Sequence, residues 1–559
     1  MNTKNLKIIK SDGTLAQFKS TLLESEKEAK IKIELLETAV IDEVVVFDED
    51  LKLPPDCEFY GDGYQMLTSY VGEIGDIYKN SYSTFDTKFS LPKKNDLPTA
   101  YNYITINTPD GYRLFGATSC KSYRTEFRMN GSHLTIAQIF ENKEYTAGNI
   151  IELEGIAIIK SEDSVEMFNQ FATLINRNHP RRIFKEDPDG WCTWYTFGPD
   201  VTAEQILGSL DTIKGKAPYL KYIQIDDGYE PFYGDWLEVK SSFSCEMKDL
   251  CNKIKDEGFE VGIWLAPFVA SGNSRIFREN PDWFIKDENG KPLNYDEAAK
   301  PGWRDIPWYS LDPTNPEALN HIVNFCKTIK NEWKASYFKL DANVWGALPF
   351  GHRYNDKMTS VEAYRHGMQA ICDALGDDAY VMVCTAPFWP SLGLANSIRT
   401  SADIVRSEIP LLRNVKENMH RIWTNKKLWL VDPDVIISDS EPTLDKELVK
   451  LHAISIAAGG GVKMYGENPM EMLEKDASFL QRLINHKNIP AKLNYDLSEG
   501  ITETEDYTDY FYFNFSKTDS KTFNNAPKSA LDVYANRMVF PNGSITLKPL
   551  TAEWLRIKK

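Results

Sequence analysis

The chain has 559 residues, 42% of them hydrophobic and 26% charged, and a formal net charge of −17. That length is too great for one simple core and suggests roughly three domain-sized units, one of them a large barrel. The acidic balance argues against nucleic acid and anionic membrane as partners, which select clustered Lys and Arg, and no stretch approaches the ~18 uninterrupted apolar residues of a membrane span.

The opening, Met1-Asn2-Thr3-Lys4-Asn5-Leu6-Lys7-Ile8-Ile9-Lys10, carries charge but no apolar core, so it does not read as a secretory signal. Roughly the first 160 residues predict β structure. Runs such as 39–47, 101–107 and 150–159 are alternating or β-branched, and Pro54-Pro55, Asp110-Gly111 and Asn130-Gly131 punctuate them. This pattern suits a large antiparallel sandwich. Residues 164–178 then place Val165, Phe168, Phe171, Leu174 and Ile175 at helical spacing, and Asp187-Pro188-Asp189-Gly190 marks a boundary.

From Trp191 to about residue 480 strand-like and helix-like stretches alternate. The predicted strands are 191–195, 222–225, 261–265, 337–340, 380–384, 397–400, 428–431 and 461–464. Helices over 247–257, 316–333 and 360–375 are among those between them. Eight strands with intervening helices fit a (β/α)8 barrel. A doubly wound open sheet is the alternative, but no GxGxxG follows an early strand. The remaining residues return to β, with runs at 507–515 and 545–557.

The eight cysteines (57, 120, 192, 245, 251, 326, 372, 384) are scattered and none forms a CxxC, which predicts reduced thiols in a cytoplasmic protein. The histidines show no HExxH or HxH spacing, so no metal site and no cofactor are expected. Aromatics make up 12% of the chain, including 13 Trp. Flat apolar faces of this kind suit carbohydrate, and equally a large core.

Polar and aromatic residues gather where the barrel strands should end: Trp194, Tyr195, Asp226, Asp227, Trp264, Lys339, Asp341, Cys384, Arg399 and Asp403. In a barrel these ends open on one face, which carries the active site. Asp341 and Asp403 each follow a short strand, and two carboxylates on one rim are what glycoside hydrolysis requires. Each residue also has a plain structural reading. Asp226-Asp227-Gly228 can be a capped turn, Trp264 core, Cys384 a small buried apolar residue, and Arg399 a neutraliser of nearby acids. Lys339 can be half of a structural ion pair, or a Schiff-base former, a role its neighbouring carboxylate disfavours by keeping the amine protonated.

Five segments resemble, in order, the motif series of glycoside hydrolase family 36, the microbial α-galactosidase family, in its shorter members. They are Gly190-Trp191-Cys192-Thr193-Trp194-Tyr195, Ile225-Asp226-Asp227-Gly228-Tyr229, Gly262-Ile263-Trp264-Leu265-Ala266-Pro267-Phe268, Tyr337-Phe338-Lys339-Leu340-Asp341 and Arg399-Thr400-Ser401-Ala402-Asp403. The resemblance implies a multidomain α/β and β protein: an N-terminal β-supersandwich (1–180) sending a loop into the pocket, a catalytic (β/α)8 TIM barrel (181–482) and a C-terminal antiparallel β-sandwich (483–559). It implies Asp341 as nucleophile and Asp403 as acid/base of a retaining exo-α-galactosidase. Asp226, Asp227 and Lys339 would bind the O3, O4 and O6 side, Trp264 would line the apolar face of the sugar, and Cys384 and Arg399 would lie near O2. The pocket loop matches Gly61-Asp62-Gly63-Tyr64-Gln65-Met66-Leu67, with Tyr64 where the family commonly has tryptophan and without the second aromatic.

Retention needs the two carboxyl groups about 5–5.5 Å apart. Lys339 is expected to hold Asp341 ionised, and the surroundings of Asp403 to keep it protonated. The expected partner is a small carbohydrate. α-N-acetylgalactosaminidase or transglycosylase activity through the same aspartates is the alternative, decided by the space around O2. A sugar-binding protein without catalysis is disfavoured because both aspartates are present.

Overall fold

The computed structural model describes residues 5–25, 27–76, 91, 97–298, 302–438 and 444–559. Of the opening decapeptide, residues 1–4 therefore lie outside the described residues.

The N-terminal region is strand-rich. One antiparallel sheet runs in the order Lys7–Lys10, Ala39–Asp50, His133–Tyr145, Arg124–Asn130 and Thr99–Ala100, and a second, eight-stranded sheet lies beside it. The apolar positions of the two sheets enter one core, and Phe47 of the first meets Phe115 of the second at 5.7 Å between ring centroids. Some runs divide: the one expected over 150–159 forms Ile150–Glu152 and Ile156–Ser161. Helix Ser164–Asn178, N-capped by Asp163, forms over the predicted span.

A curled sheet of parallel strands follows. Its strands are β1 (Asp189–Cys192), β2 (Tyr222–Ile225), β3 (Glu260–Leu265), β4 (Tyr337–Leu340), β5 (Tyr380–Val383), β6 (Ser397–Arg399), β7 (Leu430–Asp432) and β8 (Lys463–Tyr465). The order is 7-6-5-4-3-2-1-8, and β8 pairs onward with Val435–Ile436. Only Pro433 and Asp434 separate that segment from β7, so the chain itself joins the two ends of the sheet. Strands such as β2 and β4 are buried at every position, as expected of parallel strands covered on both faces. The helices between them have ordinary causes. Asn315 caps Pro316–Asn331, which opens with proline, and Thr359 with Glu362 forms a capping box on Ser360–Leu375.

Two expectations are corrected. The run 191–195 is not continuous strand: β1 ends at Cys192, where its ladder with β2 stops, and Trp194–Phe197 is a single helical turn. Thr193 turns the chain there by accepting the Asp226 N–H on its Oγ1 at 3.0 Å. The terminal run 545–557 is two strands, Ile545–Leu547 and Thr551–Lys558, broken where Leu550 takes a φ of 53°. The latter strand is central to a six-stranded antiparallel sheet that closes the chain. Among the described residues no helix is long and apolar enough to cross a membrane.

Candidate active site

The C-terminal ends of the parallel strands surround a cavity of about 410 Å³. Asp341, Asp403, Asp226, Asp227, Trp264, Lys339, Trp194 and Tyr195 all line it. Residues up to 209 positions apart thus share one wall because parallel strands expose the same end.

Asp341 follows β4. Its Oδ1 accepts the Ala342 N–H at 2.6 Å and its Oδ2 the Trp264 indole N–H at 3.2 Å, so both oxygens are fixed. Burial raises its pKa, while the Lys339 charge, the Ala342 amide and the Thr385 hydroxyl pull the other way and Asp403 adds to the rise. The expected pull of Lys339 toward the ionised form is present, but desolvation is the larger influence and the net shift is upward. Lys339 itself donates to Asp226 Oδ2 at 2.8 Å. Burial opposes its charge most strongly, but Asp226 together with Cys192 and Cys384 outweighs it and holds the ammonium well above its ordinary pKa, which leaves no free amine for Schiff-base chemistry.

Asp226 and Asp227 are buried and anchored separately. Asp226 also accepts from Gln224, and Asp227 from Tyr233 and Arg304. The turn behind them needs Gly228, whose φ is 118° and where a Cβ would lie 2.6 Å from Pro199 Cα. Arg304 also binds the buried Glu230 and lies over the Tyr233 ring at 4.9 Å. Glu230 is pushed up by burial and by Asp227, against Arg304.

Asp403 is different in kind. Its side chain is 59% exposed and pairs with Arg399 Nη2 at 2.8 Å, where apolar surroundings were expected. Arg399 is buried behind it, with Nη1 facing Cys384 Sγ at 3.8 Å. Neither Arg399 nor Cys384 lines the cavity directly; Thr385 presents itself there in place of Cys384. Ala342, Thr385 and Asp434, immediately beyond β4, β5 and β7, take φ values of 52°, 42° and 78°. Left-handed backbone costs a non-glycine residue about 1–3 kcal/mol, and here it gathers just past the strand ends.

Tyr64 is the predicted site residue that stands apart. It is buried against Tyr101, with ring centroids 5.6 Å apart, and does not line the cavity. Its loop still arrives, through Met66 and Leu67. Gly63 allows the loop to fold tightly, since a Cβ there would lie 2.2 Å from Thr68 O. Arg421 then fastens it, donating to Asp62 Oδ1 at 2.9 Å, Met66 O at 2.9 Å, Thr68 O at 2.7 Å and, across to the Asp403 loop, Thr400 O at 2.7 Å.

Sequence reasoning missed Trp303, Arg304, Tyr233 and Asp434. Trp303 and Arg304 lie in the long excursion between β3 and β4, where no periodicity marks them. Asp434 did carry a mark, as an acid just beyond a strand end. Among the described residues no group of three or more His, Cys, Asp or Glu side chains could hold a metal ion, and none of the eight cysteines is paired.

Residues 191–383 match the Melibiase family model. The chain is 25% identical over 272 residues to the A type blood α-D-galactosamine galactosaminidase of Flavonifractor plautii, covering 46% of this chain and 24% of that protein. It is 24% identical over 204 residues to α-galactosidase Mel36A of Lactobacillus acidophilus, covering 34% and 25%. The matches thus span about a quarter of these relatives' length. In fold it is similar to the α-galactosidase TtGalA of Thermus thermophilus, solved with p-nitrophenyl α-D-galactopyranoside (TM-score 0.66, 21% identity, 88% of this chain and 96% of that one). It is also similar to AgaA of Geobacillus stearothermophilus (TM-score 0.65, 12% identity, 97% and 82%).

Proposed function

We propose that this chain, which belongs to glycoside hydrolase family 36, is a retaining exo-α-galactosidase that removes terminal α-linked galactose from small oligosaccharides or glycoconjugates. The observation that carries the reading is the meeting of Asp341 and Asp403 on one cavity with Asp226, Asp227, Lys339 and Trp264. We read the curled sheet as the (β/α)8 barrel of residues 181–482, between a β-supersandwich (1–180) and a β-sandwich (483–559). A cytoplasmic location belongs to the same proposal, supported by unpaired and mostly buried thiols.

In the first step Asp341 attacks the anomeric carbon and forms a covalent β-glycosyl enzyme, while Asp403 gives its proton to the departing oxygen. Asp341 is well prepared: two N–H donors fix its plane and burial makes it more basic, yet Lys339 nearby favours the ionised form. In the second step Asp403 takes a proton from water, which attacks the same carbon and releases galactose with its configuration retained. Asp226, Asp227 and Lys339 bind the O3, O4 and O6 side. These buried polar groups favour selectivity, since a sugar lacking the right hydroxyl would leave them short of a hydrogen bond. Trp264 lines the apolar face, Trp194 and Tyr195 the rim, and Thr385 stands before Cys384 and Arg399 on the O2 side.

The similarity to a galactosaminidase favours one second reading, α-N-acetylgalactosaminidase through the same aspartates. Initial rates on 4-nitrophenyl α-galactoside and its 2-acetamido analogue, with Asp341→Ala protein as blank, separate the two. Faster cleavage of the galactoside, lost in the variant, is expected. Preference for the acetamido sugar selects the second reading, and inactivity on both overturns the two together.

A further inference from the structure

Arg399 is 2% exposed, and its Nη2 serves two carboxylates at once: Asp403 Oδ1 at 2.8 Å and Asp434 Oδ2 at 2.7 Å. Asp434 is buried beyond β7 and reaches further. Its Oδ2 accepts the Ile404 N–H at 2.6 Å, from the residue after Asp403, and the Tyr195 hydroxyl. Asp434 therefore grips both the guanidinium that pairs with Asp403 and the backbone that carries Asp403.

We propose that Asp434 is a positioning residue for acid catalysis: it neutralises Arg399, and so allows Asp403 to carry the proton that the leaving oxygen takes. The inference rests on the reading of Asp403 as the acid. An arginine facing Asp403 alone would hold it as a carboxylate, which cannot donate. With two carboxyls around the arginine, one proton makes the trio neutral, and that proton belongs to the pair. The groups facing Asp434 are Tyr195 from the turn after β1, Arg399 from β6, Asp403 from the following loop and Asp432 from β7. Burial pushes Asp434 up to about 7 against the pull of Arg399, and Asp403 and Asp432 reinforce the rise. Its raised pKa allows Asp434 to hold that proton.

A sugar and its aglycone cover the exposed Asp403 and remove its water. A carboxyl deprived of water favours its neutral form. The proton then passes through solvent from Asp434 to Asp403, and the charge of the trio is unchanged. From Asp403 it goes to the glycosidic oxygen as the C–O bond breaks, and the attacking water later replaces it.

Asp434→Asn tests this, with Asp403→Ala as the benchmark for lost acid catalysis. The variant is expected to lose ~100-fold in kcat/KM on melibiose but less than about five-fold on 2,4-dinitrophenyl α-galactoside, which needs little acid assistance. The alkaline limb of its pH profile should move to lower pH. Equal losses on both substrates with an unmoved limb would overturn the proposal. A carbon-13 titration of the Asp403 carboxyl needs no substrate. Its midpoint should fall in Asp434→Asn, and an unchanged midpoint would overturn the proposal even if wild-type protein cleaved no galactoside. A lowered midpoint in an enzyme inactive on galactosides would support the proposal and count only against the proposed substrate. Should Asp434→Asn not fold, Tyr195→Phe removes the hydroxyl that stabilises ionised Asp434. The same direction of shift is expected, and no shift would overturn the proposal.

Discussion

At the scale of single residues, neighbouring charges at the site are set by different surroundings. Asp341 is buried and held by two N–H donors, whereas Asp403 is exposed and ion-paired. If Asp341 is the nucleophile, Asp341→Gly should abolish turnover yet accept azide in the vacated space. A β-galactosyl azide, identified by proton NMR of the products, is then expected; only α-azide or none would remove Asp341 from that role. His452 illustrates the cost of a buried polar residue without compensation. Both its ring nitrogens lack partners, and burial lowers its pKa to about 3. The unfolded chain binds a proton there below about 6.5 and the folded chain does not. Stability from this residue is thus complete above pH 6.5 and is lost as pH falls toward 3, by about 1.4 kcal/mol per pH unit. In His452→Leu, urea unfolding should show a shallower loss over that window; an identical slope would contradict the assignment.

Elements matter here through what they deliver. The Gly61–Thr68 loop reaches the cavity only because the helix Glu408–Arg421 ends in Arg421, which spans the loop and Thr400. Arg421→Ala would leave Asp62 buried without its cation, and breaking such a pair costs about 3–5 kcal/mol. We expect that loss in denaturant unfolding, together with a KM rise larger than any fall in kcat, because the loop forms a wall and touches no reacting atom. Arg421→Lys should restore little, since one ammonium cannot replace a fork that serves four acceptors. Full recovery in the lysine variant would show that charge alone matters.

Taken whole, the molecule has one dominant hydrophobic core. It runs from Leu6 through both N-terminal sheets and the parallel strands to Trp554. Trp389 and Trp423 carry it across the first junction: the Trp389 indole donates to Ala117 O at 2.6 Å and the Trp423 indole to Tyr103 Oη at 2.9 Å. Regions that share a core lose it together, so calorimetry is expected to show one cooperative transition. Separate transitions for the N-terminal region and the rest would mean that the shared core is energetically weak.

The linear chain made much of this legible. Strand ends from Cys192 to Arg399 fall within a few residues of the expected ones, because parallel strands buried on both faces are continuous apolar runs with polar residues at their ends. Lys339, Asp341, Asp226 and Asp227 could be singled out for that reason. Asp434 could have been, had β7 been extended past Val431 to Asp432. Tyr64 was misplaced, because a motif gives the path of a loop but not which of its side chains turns inward. Trp303 and Arg304 depend on the long β3–β4 excursion folding back over the strand ends, and Tyr233 on the loop between β2 and β3. Alternation and spacing thus follow from local backbone geometry and can be read along the chain. The pairing of Lys339 with Asp226, the sharing of Arg399 between two acids and the burial that raises Asp341 arise from contacts between distant segments, and exist only once packing has excluded water from them.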